Sequence, residues 1–529
     1  MKQIKGEKRK PSHIRFYVAC LVFLFGTIIF VGLCILPLFY ESARYYFIIP
    51  LSILYALNFI IAVFIFNSKV QINFKISWLV VIIILPFAGT IIYLMYANKI
   101  TTKRMKKLRL NKIHLQLWAG KIDSEKTLLK LQDINRDGWA ISRYLYKYSE
   151  SSLFENTEVT YYPLGEDGYP HILEELEKAK KFIFIEYFII EDGFMFDKIY
   201  SILVEKVKRG VDVRMIYDDF GSVGKVDANF FKKARQDGIK CFAFNRIRPM
   251  VDIRQNSRDH RKIIVVDGVR AFTGGCNLAD EYINVKKRFG IWKDNFVMLK
   301  GEAVTGLTNL FLSSWCLINK DENPSVKDIQ LYSFPFNKNL LNEKINCEGF
   351  VQPFGEMPFD GEDVAKNVYL QMISRAKKYV YISTPYLIPD TELITALSNA
   401  AKSGIDVKIV TPGIPDKKLV FSLTQSYYSS LLINGVEIYE YTPGFNHAKL
   451  IVVDDCMAMT GTINLDFRSL YLHFENSVFF HGGKQIDDMK KDMLEMIDVS
   501  LKQSSSEYIN KPLLKRLYWG VLRIFSPLI

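Results

Sequence analysis

The chain has 529 residues, room for two ordinary domains and additional segments. Its 69 Lys and Arg against 56 Asp and Glu give a net charge of +13, which taken alone would fit a nucleic-acid binder. The distribution disfavours that partner: residues 1–112 hold sixteen Lys/Arg and two acids, leaving 53 basic and 54 acidic residues in the remainder, whereas a nuclease needs its positive charge on the catalytic part.

Three uncharged runs, Phe16–Tyr40, Tyr45–Phe66 and Ile76–Asn98, dominate the start of the chain. Each is long enough to cross a bilayer as a helix, which needs about 20 residues. The first exceeds the apolar core of a signal peptide and no Ala-x-Ala site follows it, so it reads as an anchor. Residues 1–112 therefore form a membrane region, and their basic flanks would meet anionic lipid head groups. With three crossings the positive-inside rule ties. Lys2, Lys5, Lys8, Arg9, Lys10, Arg15, Lys69 and Lys75 stand on one side, against Arg44, Lys99, Lys103, Arg104, Lys106, Lys107, Arg109 and Lys112 on the other. If one run instead lies re-entrant, the first is the natural choice.

A linker is expected at 113–134. Beyond about residue 130 helical and strand patterns alternate, which predicts an α/β architecture. The pattern is duplicated. "ILEELEKAKKFIFIEYFIIEDG" (172–193) aligns with "YLQMISRAKKYVYISTPYLIPD" (369–390), and "VKRGVDVRMIYDD" (207–219) with "AKSGIDVKIVTPG" (401–413). The half-domains are expected at 135–345 and 346–510, closing on a pseudo-twofold active site. In 511–529, Leu513, Leu514, Leu517, Val521, Ile524 and Phe525 fit one helical face with Lys515, Arg516 and Arg523 opposite. Such an amphipathic helix suits either a core-docked position or the lipid interface. The seven cysteines lack Cys-x-x-Cys spacing and read as reduced or buried thiols.

Inside the duplication one chemical phrase occurs twice, 187 positions apart. His260-Arg261-Lys262, four apolar residues, Asp267, six residues and Gly274-Gly275-Cys276-Asn277 form the first copy. His447-Ala448-Lys449, four apolar residues, Asp454, six residues and Gly461-Thr462-Ile463-Asn464 form the second. The β-branched run after each His-x-Lys predicts a buried strand. Side chains alternate along a strand, so His260 and Lys262 share one face, as do His447 and Lys449. Asp267 and Asp454 belong to the motif and count among the catalytic candidates. They fall on the opposite face, however, and Asp267 sits in an Asp-Gly turn, so a structural role fits them better. The glycine-asparagine turns suit close approach to a phosphate, which makes Asn277 and Asn464 phosphate-binding candidates beside Lys262 and Lys449.

The pattern His-x-Lys-x4-Asp-x6-Gly-Gly/Thr-x-Asn is the signature of the phospholipase D superfamily, and this chain resembles that family over nearly its whole length. "SWLVVIIILPFAGTIIYLMY", "IEYFII" (185–190) and "STPYLIPD" (383–390) bring it nearest to bacterial cardiolipin synthases. The resemblance implies an enzyme of the bacterial cell membrane, multi-pass, with a cytoplasmic catalytic part. It also implies phosphatidyl transfer between two phosphatidylglycerol molecules by double inversion, giving cardiolipin and glycerol. His260 would be the nucleophile that forms a phosphohistidine, and His447 the general acid/base.

The residue chemistry agrees. Phosphodiester displacement needs a nucleophile, an acid for the leaving alkoxide and cations for the phosphoryl oxygens, and histidines and lysines supply them. No metal-ligand cluster accompanies the histidines in the sequence, so no cofactor is expected and the reaction should be metal-independent. In families resembling this one a carboxylate downstream of each motif orients the histidine. Asp294, 34 residues after His260, and Glu475, 28 residues after His447, are the candidates for His260 and His447 respectively, with Glu186 a weaker candidate for the cleft wall. The rival readings are a hydrolytic phospholipase D, a nuclease of the same superfamily and an inactive lipid-binding scaffold.

Overall fold

In the computed structural model, which describes residues 14–39, 44–96, 121–246, 257–319, 325–341, 344–358 and 360–528, the amino-terminal helices and the carboxy-terminal helix form one unit. Residues 121–512 form another.

The first unit contains α1 (Ile14–Phe39), α2 (Arg44–Phe66), α3 (Ile72–Ile84) and α4 (Ala88–Tyr96). Within α2, Tyr45–Phe66 is long and apolar enough to cross a bilayer. The expected third span is not one helix. It breaks between Ile84 and Ala88, leaving pieces of 13 and 9 residues, each short of the ~20 that a crossing needs. Its last residues, 97 and 98, lie outside the described residues. Pro86 explains the break, because its ring clashes with the preceding turn and it has no N–H to donate. The interruption is satisfied internally: the Asn58 amide donates to the Pro86 carbonyl (2.9 Å), and the Thr90 hydroxyl donates to Asn58 Oδ1 (2.6 Å). Buried polar groups in a membrane need such partners. A Cβ at Gly89 would lie 2.4 Å from the Val81 carbonyl oxygen, so the turn requires glycine there.

The C-terminal helix Leu513–Phe525 joins this unit through a 2.5 Å bond from the Ser77 hydroxyl to the Ile524 carbonyl. It buries Trp519 and Leu522, while Leu513, Leu514, Leu517 and Val521 are exposed. Of the two positions that the amphipathic pattern left open, the leucine-rich face is therefore not the docked one.

The second unit is built on two mixed sheets. Its amino-terminal part supplies β1 (Thr157–Tyr162), β2 (Phe182–Tyr187), β3 (Asp212–Asp218), β4 (Lys240–Phe244), β5 (Lys262–Val266), β6 (Arg270–Gly274), β7 (Ile291–Lys293) and β8 (Phe296–Gly301). Seven of these make a sheet ordered β1-β8-β6-β5-β2-β3-β4. The carboxy-terminal part supplies β9 (Phe350–Glu356), β10 (Tyr379–Ser383), β11 (Asp406–Pro412), β12 (Glu437–Tyr441), β13 (Gly444–Asn446), β14 (Leu450–Val453), β15 (Met457–Gly461), β16 (Glu475–His481) and β17 (Ser500–Lys502). The second sheet, β9-β16-β15-β14-β10-β11-β12-β17, runs in the corresponding order with one strand added. In both, the helix-linked strands pair in parallel (β2-β3-β4 and β10-β11-β12) and the remainder antiparallel, as crossover connections require. The short strands β7 and β13 pair with each other across the two parts.

Alternation along β5 shows how the layers pack. Ile263 and Val265 enter a core shared with β14 of the other sheet, whereas Ile264 and Val266 enter the core under the helices of their own sheet. A strand buried on both faces reads as a continuous β-branched run. Of the expected linker at 113–134, residues 113–120 lie outside the described residues; Glu125–Ile134 is helical, and its Leu128 and Leu131 bury against Phe350 of the second sheet.

Candidate active site

The strand entering each histidine is pinned to the other part of the unit. The His260 N–H donates to the Phe474 carbonyl (2.8 Å) and the Phe474 N–H to the Arg258 carbonyl (2.8 Å), while the His447 N–H donates to the Lys293 carbonyl (2.7 Å) next to the β7–β13 pairing. This reciprocal backbone exchange decides which carboxylate meets which imidazole. His260 Nδ1 bonds Glu475 (2.8 Å to Oε2, 3.0 Å to Oε1), and His447 Nδ1 bonds Asp294 Oδ2 (2.5 Å). The sequence expectation had them the other way round, each carboxylate serving its own repeat. The pairing is crossed because the backbone bridges place Glu475 one residue beyond His260's partner Phe474, and Asp294 one beyond Lys293.

Both carboxylates are fully buried and both histidines nearly so. With Nδ1 committed in each ring, Nε2 is the atom left for chemistry. Burial lowers His260 to about 3, against the pull of Glu475, and lowers His447 to about 4, helped by the Lys449 ammonium. Burial alone would raise Glu475, but the His260 imidazole holds it well below the usual carboxylate range.

Lys262 Nζ donates to the His260 carbonyl (2.8 Å), and Lys449 Nζ lies 2.9 Å from His447 Nδ1 while also donating to the His447 carbonyl. Burial lowers Lys262 to about 7 and Lys449 to about 8, and the charge of Lys449 contributes to the lowering at Lys262. Two histidines and two lysines thus converge on one buried site.

Several supporting residues escaped the sequence reading. The Thr273 hydroxyl donates to the Lys262 carbonyl and that of Thr460 to the Lys449 carbonyl, each at 2.8 Å. Asn476 Nδ2 donates to Thr273 Oγ1 (2.8 Å), and Asn295 Nδ2 to Thr460 Oγ1 (2.7 Å). Asn295 and Asn476 directly follow Asp294 and Glu475, so an acid-Asn pair occurring once per repeat was the available signal. At the loop position shared by Gly275 and Thr462 the repeats diverge. A Cβ on Gly275 would lie 1.9 Å from Asp294 Oδ1, whereas the Thr462 hydroxyl donates to Glu475 Oε2.

Asp267 and Asp454 sit at the far ends of β5 and β14, about 16 Å along the strand from the lysines at ~3.3 Å per residue. Asp267 accepts the N–H groups of Lys180, Lys181 and Phe182 (2.7–2.9 Å), and Asp454 those of Lys377, Lys378 and Tyr379 (2.6–2.9 Å). Both have left-handed backbones, φ 53° and 54°. This geometry corrects their place among the catalytic candidates: they tie the His-x-Lys strand to the neighbouring helix-strand turn. Asp267→Ala should therefore lower unfolding free energy by about 3 kcal/mol, from several charge-assisted bonds lost together, while the folded fraction keeps its turnover. Chemical denaturation beside an activity assay checks both.

Asn277 accepts from the Ile189 N–H (3.1 Å) and donates to the Tyr282 hydroxyl (2.7 Å), while Asn464 donates to Asp466 (3.2 Å). The role visible for both is anchoring of their own loops. Glu186 is fully buried beside Arg261 and Asp259, with burial raising its carboxyl. His473, two residues before Glu475, stands with Glu475 and His260 within reach of a common point.

Comparison with known proteins shows the family. The cardiolipin synthase, phospholipase D-like domain family matches residues 172–313 and 369–497, and the phospholipase D-nuclease N-terminal family matches residues 56–96. The chain is 40% identical to an uncharacterized protein of Streptococcus mutans over 464 residues, covering 88% of this chain and 98% of that one. It is 32% identical to a cardiolipin synthase of Alkalihalophilus pseudofirmus over 515 residues, covering 96% and 99%. Among solved structures, phosphatidylserine synthase of Haemophilus influenzae shares the fold at TM-score 0.55 and 14% identity, covering 74% of this chain and all of that one.

Proposed function

Because the chain belongs to the cardiolipin synthases of the phospholipase D superfamily, we propose that it is a phosphatidyltransferase joining two phosphatidylglycerol molecules into cardiolipin and free glycerol. The crossed pair of histidine–carboxylate contacts carries the reading, since it leaves two reactive Nε2 atoms and two lysines for one phosphodiester. We take the two sheets of matching strand order as duplicated halves that share the site between them.

His260 Nε2 attacks the phosphorus of the first lipid, and the bond to its glycerol head group breaks. His447 Nε2 protonates the departing alkoxide. It then takes the proton from a hydroxyl of the second phosphatidylglycerol, whose oxygen attacks the phosphohistidine and frees His260. Glu475 holds His260 in the Nδ1–H tautomer and offsets the positive charge formed on the phosphorylated ring. Asp294 does the same for His447. Lys262 and Lys449 neutralise the non-bridging oxygens. With both imidazoles unprotonated at neutral pH in the free enzyme, the nucleophile is ready. The acid gains its proton when the anionic phosphodiester arrives, since a neighbouring negative charge favours imidazolium.

A pH profile follows. The lysines are charged below their lowered values and neutral above them, so kcat/KM should fall as pH rises through about 7 to 8. Lys262→Arg, which stays charged, should move that basic limb upward at some cost in rate. An unmoved limb would detach it from Lys262.

The broken third run also supports one topology over the others. If α1 and α2 cross and α3–α4 re-enter, fifteen of the sixteen basic residues in 1–112 lie on the side of the catalytic unit, and Arg44 alone lies opposite. The positive-inside rule then makes that side cytoplasmic. Cysteine labelling of intact cells should modify a cysteine placed at Ser42 and spare one placed at Ser68; equal labelling of both would overturn two crossings.

The reaction itself is tested by reconstituting the protein with phosphatidylglycerol alone. Cardiolipin and glycerol in equal amounts are the expected products. Phosphatidic acid as the sole new lipid would make the enzyme a hydrolase.

A further inference from the structure

His473 is used neither by the repeated motif nor by the transfer chemistry. It is 8% exposed, and neither ring nitrogen has a hydrogen-bond partner, an unusual state for a buried imidazole. It lies in the bend two residues before Glu475, the first residue of β16. Its Nδ1 lies 3.7 Å from Glu475 Oε1, and its ring centre lies 5.8 Å from that of His260. One donor atom from each of His260, His473 and Glu475 falls within 4.8 Å of the other two.

We infer that His260, His473 and Glu475 form a binding site for a divalent transition-metal ion of the zinc type, and that the bound ion inhibits transfer. Two imidazoles and one carboxylate are the donor set that zinc favours, whereas magnesium and calcium favour oxygen alone. Zinc bonds these atoms at about 2.0–2.2 Å, which brings ligands on one ion to roughly 3.3 Å apart. His260 Nδ1 and Glu475 are already within that spacing at 2.8 Å, so it is His473, 3.7 Å from Glu475 and held by no hydrogen bond of its own side chain, that must swing in. The ion enters where His260 Nδ1 now holds its proton against Glu475, and that proton is released to solvent. It gives His473 the partner it lacks. It also takes Glu475 from His260 and withdraws electron density from Nε2, so the nucleophile is lost while the ion stays.

The inhibitory half of this inference rests on the transfer reading; the binding half rests on the geometry alone, so binding is measured without turnover. The full-length protein in detergent, stripped with a chelator, is titrated with zinc chloride by calorimetry. One equivalent should bind to the wild type and be lost, or weakened at least tenfold, in His473→Asn. Cobalt(II) gives a second readout that a folding defect cannot imitate. The wild type should show ligand-field bands without thiolate charge-transfer absorption, and His473→Gln, folded by circular dichroism, should not. Zinc should inhibit transfer by the wild type at least tenfold more strongly than by His473→Asn, with magnesium inert. Equal zinc affinity and stoichiometry in wild type and both variants would overturn the site. Binding that depends on His473 but leaves transfer untouched would overturn its inhibitory role.

Discussion

Changing either His260 or His447 to alanine is expected to lower lipid transfer by about four orders of magnitude or more, because in the proposed mechanism one removes the nucleophile and the other the proton carrier. Each loss should be nearly complete, since neither imidazole has a substitute. Lys262 and Lys449 are fixed beside their own histidines, and His473 is on the Glu475 side of His260. The two variants are also expected to differ in what they trap. After a rapid quench, His447→Ala should still carry some phosphatidyl group on His260, whereas His260→Ala should carry none. Mixing the two dead proteins should restore nothing, since both histidines of a site come from the same chain. Transfer with more than a few per cent of wild-type turnover in either variant would sink the shared site, and so would recovery on mixing. A phosphatidyl group found on His447 and absent from His260 would exchange their roles while leaving the site intact.

Much of this was legible because strand geometry is short-range. His260 and Lys262 share a face through a period of two, and the apolar runs after them are buried on both sides, so the motif reads directly from spacing. The split of positive charge onto residues 1–112 needed only counting. The break in the third apolar run was half visible. Pro86 stood in the sequence, yet membrane helices often tolerate proline, and nothing local showed that Asn58 on the preceding helix would cap its carbonyl. The histidine partners were not legible at all. Glu475 lies 215 residues from His260, and Asp294 lies 153 from His447. Each carboxylate falls at a plausible offset inside its own repeat, so proximity in sequence points to the wrong ring. What reverses the choice is the bridge between Asp259 and Phe474 and the pairing of β7 with β13, contacts between distant segments that no local pattern encodes. His473 escaped for a related reason: its interest comes from His260, a residue of the other half.

The crossed wiring has a consequence that separates it from wiring within each half. Glu475→Gln and Asp294→Asn should each slow transfer by about a hundredfold to ten-thousandfold, through a lost tautomer and an unsupported imidazolium. That alone does not say which histidine each carboxylate serves. An aryl phosphodiester with a nitrophenolate leaving group does, because this leaving group departs without a proton. The first step on such a substrate needs the nucleophile and has little need of the acid. Its burst rate, read as nitrophenolate released in the first turnover, should be largely restored in His447→Ala and stay suppressed in His260→Ala. Crossed pairing then places Asp294→Asn with the restored variant and Glu475→Gln with the suppressed one, because of the two motif histidines Asp294 bonds only His447 and Glu475 only His260. The opposite grouping, with Glu475→Gln restored and Asp294→Asn suppressed, would mean that each repeat keeps its own carboxylate and the backbone exchange is wrong. If His447 were the nucleophile, the two histidine variants would trade places and Asp294→Asn would still follow His447→Ala, so the comparison tests the pairing independently of the role assigned to either ring.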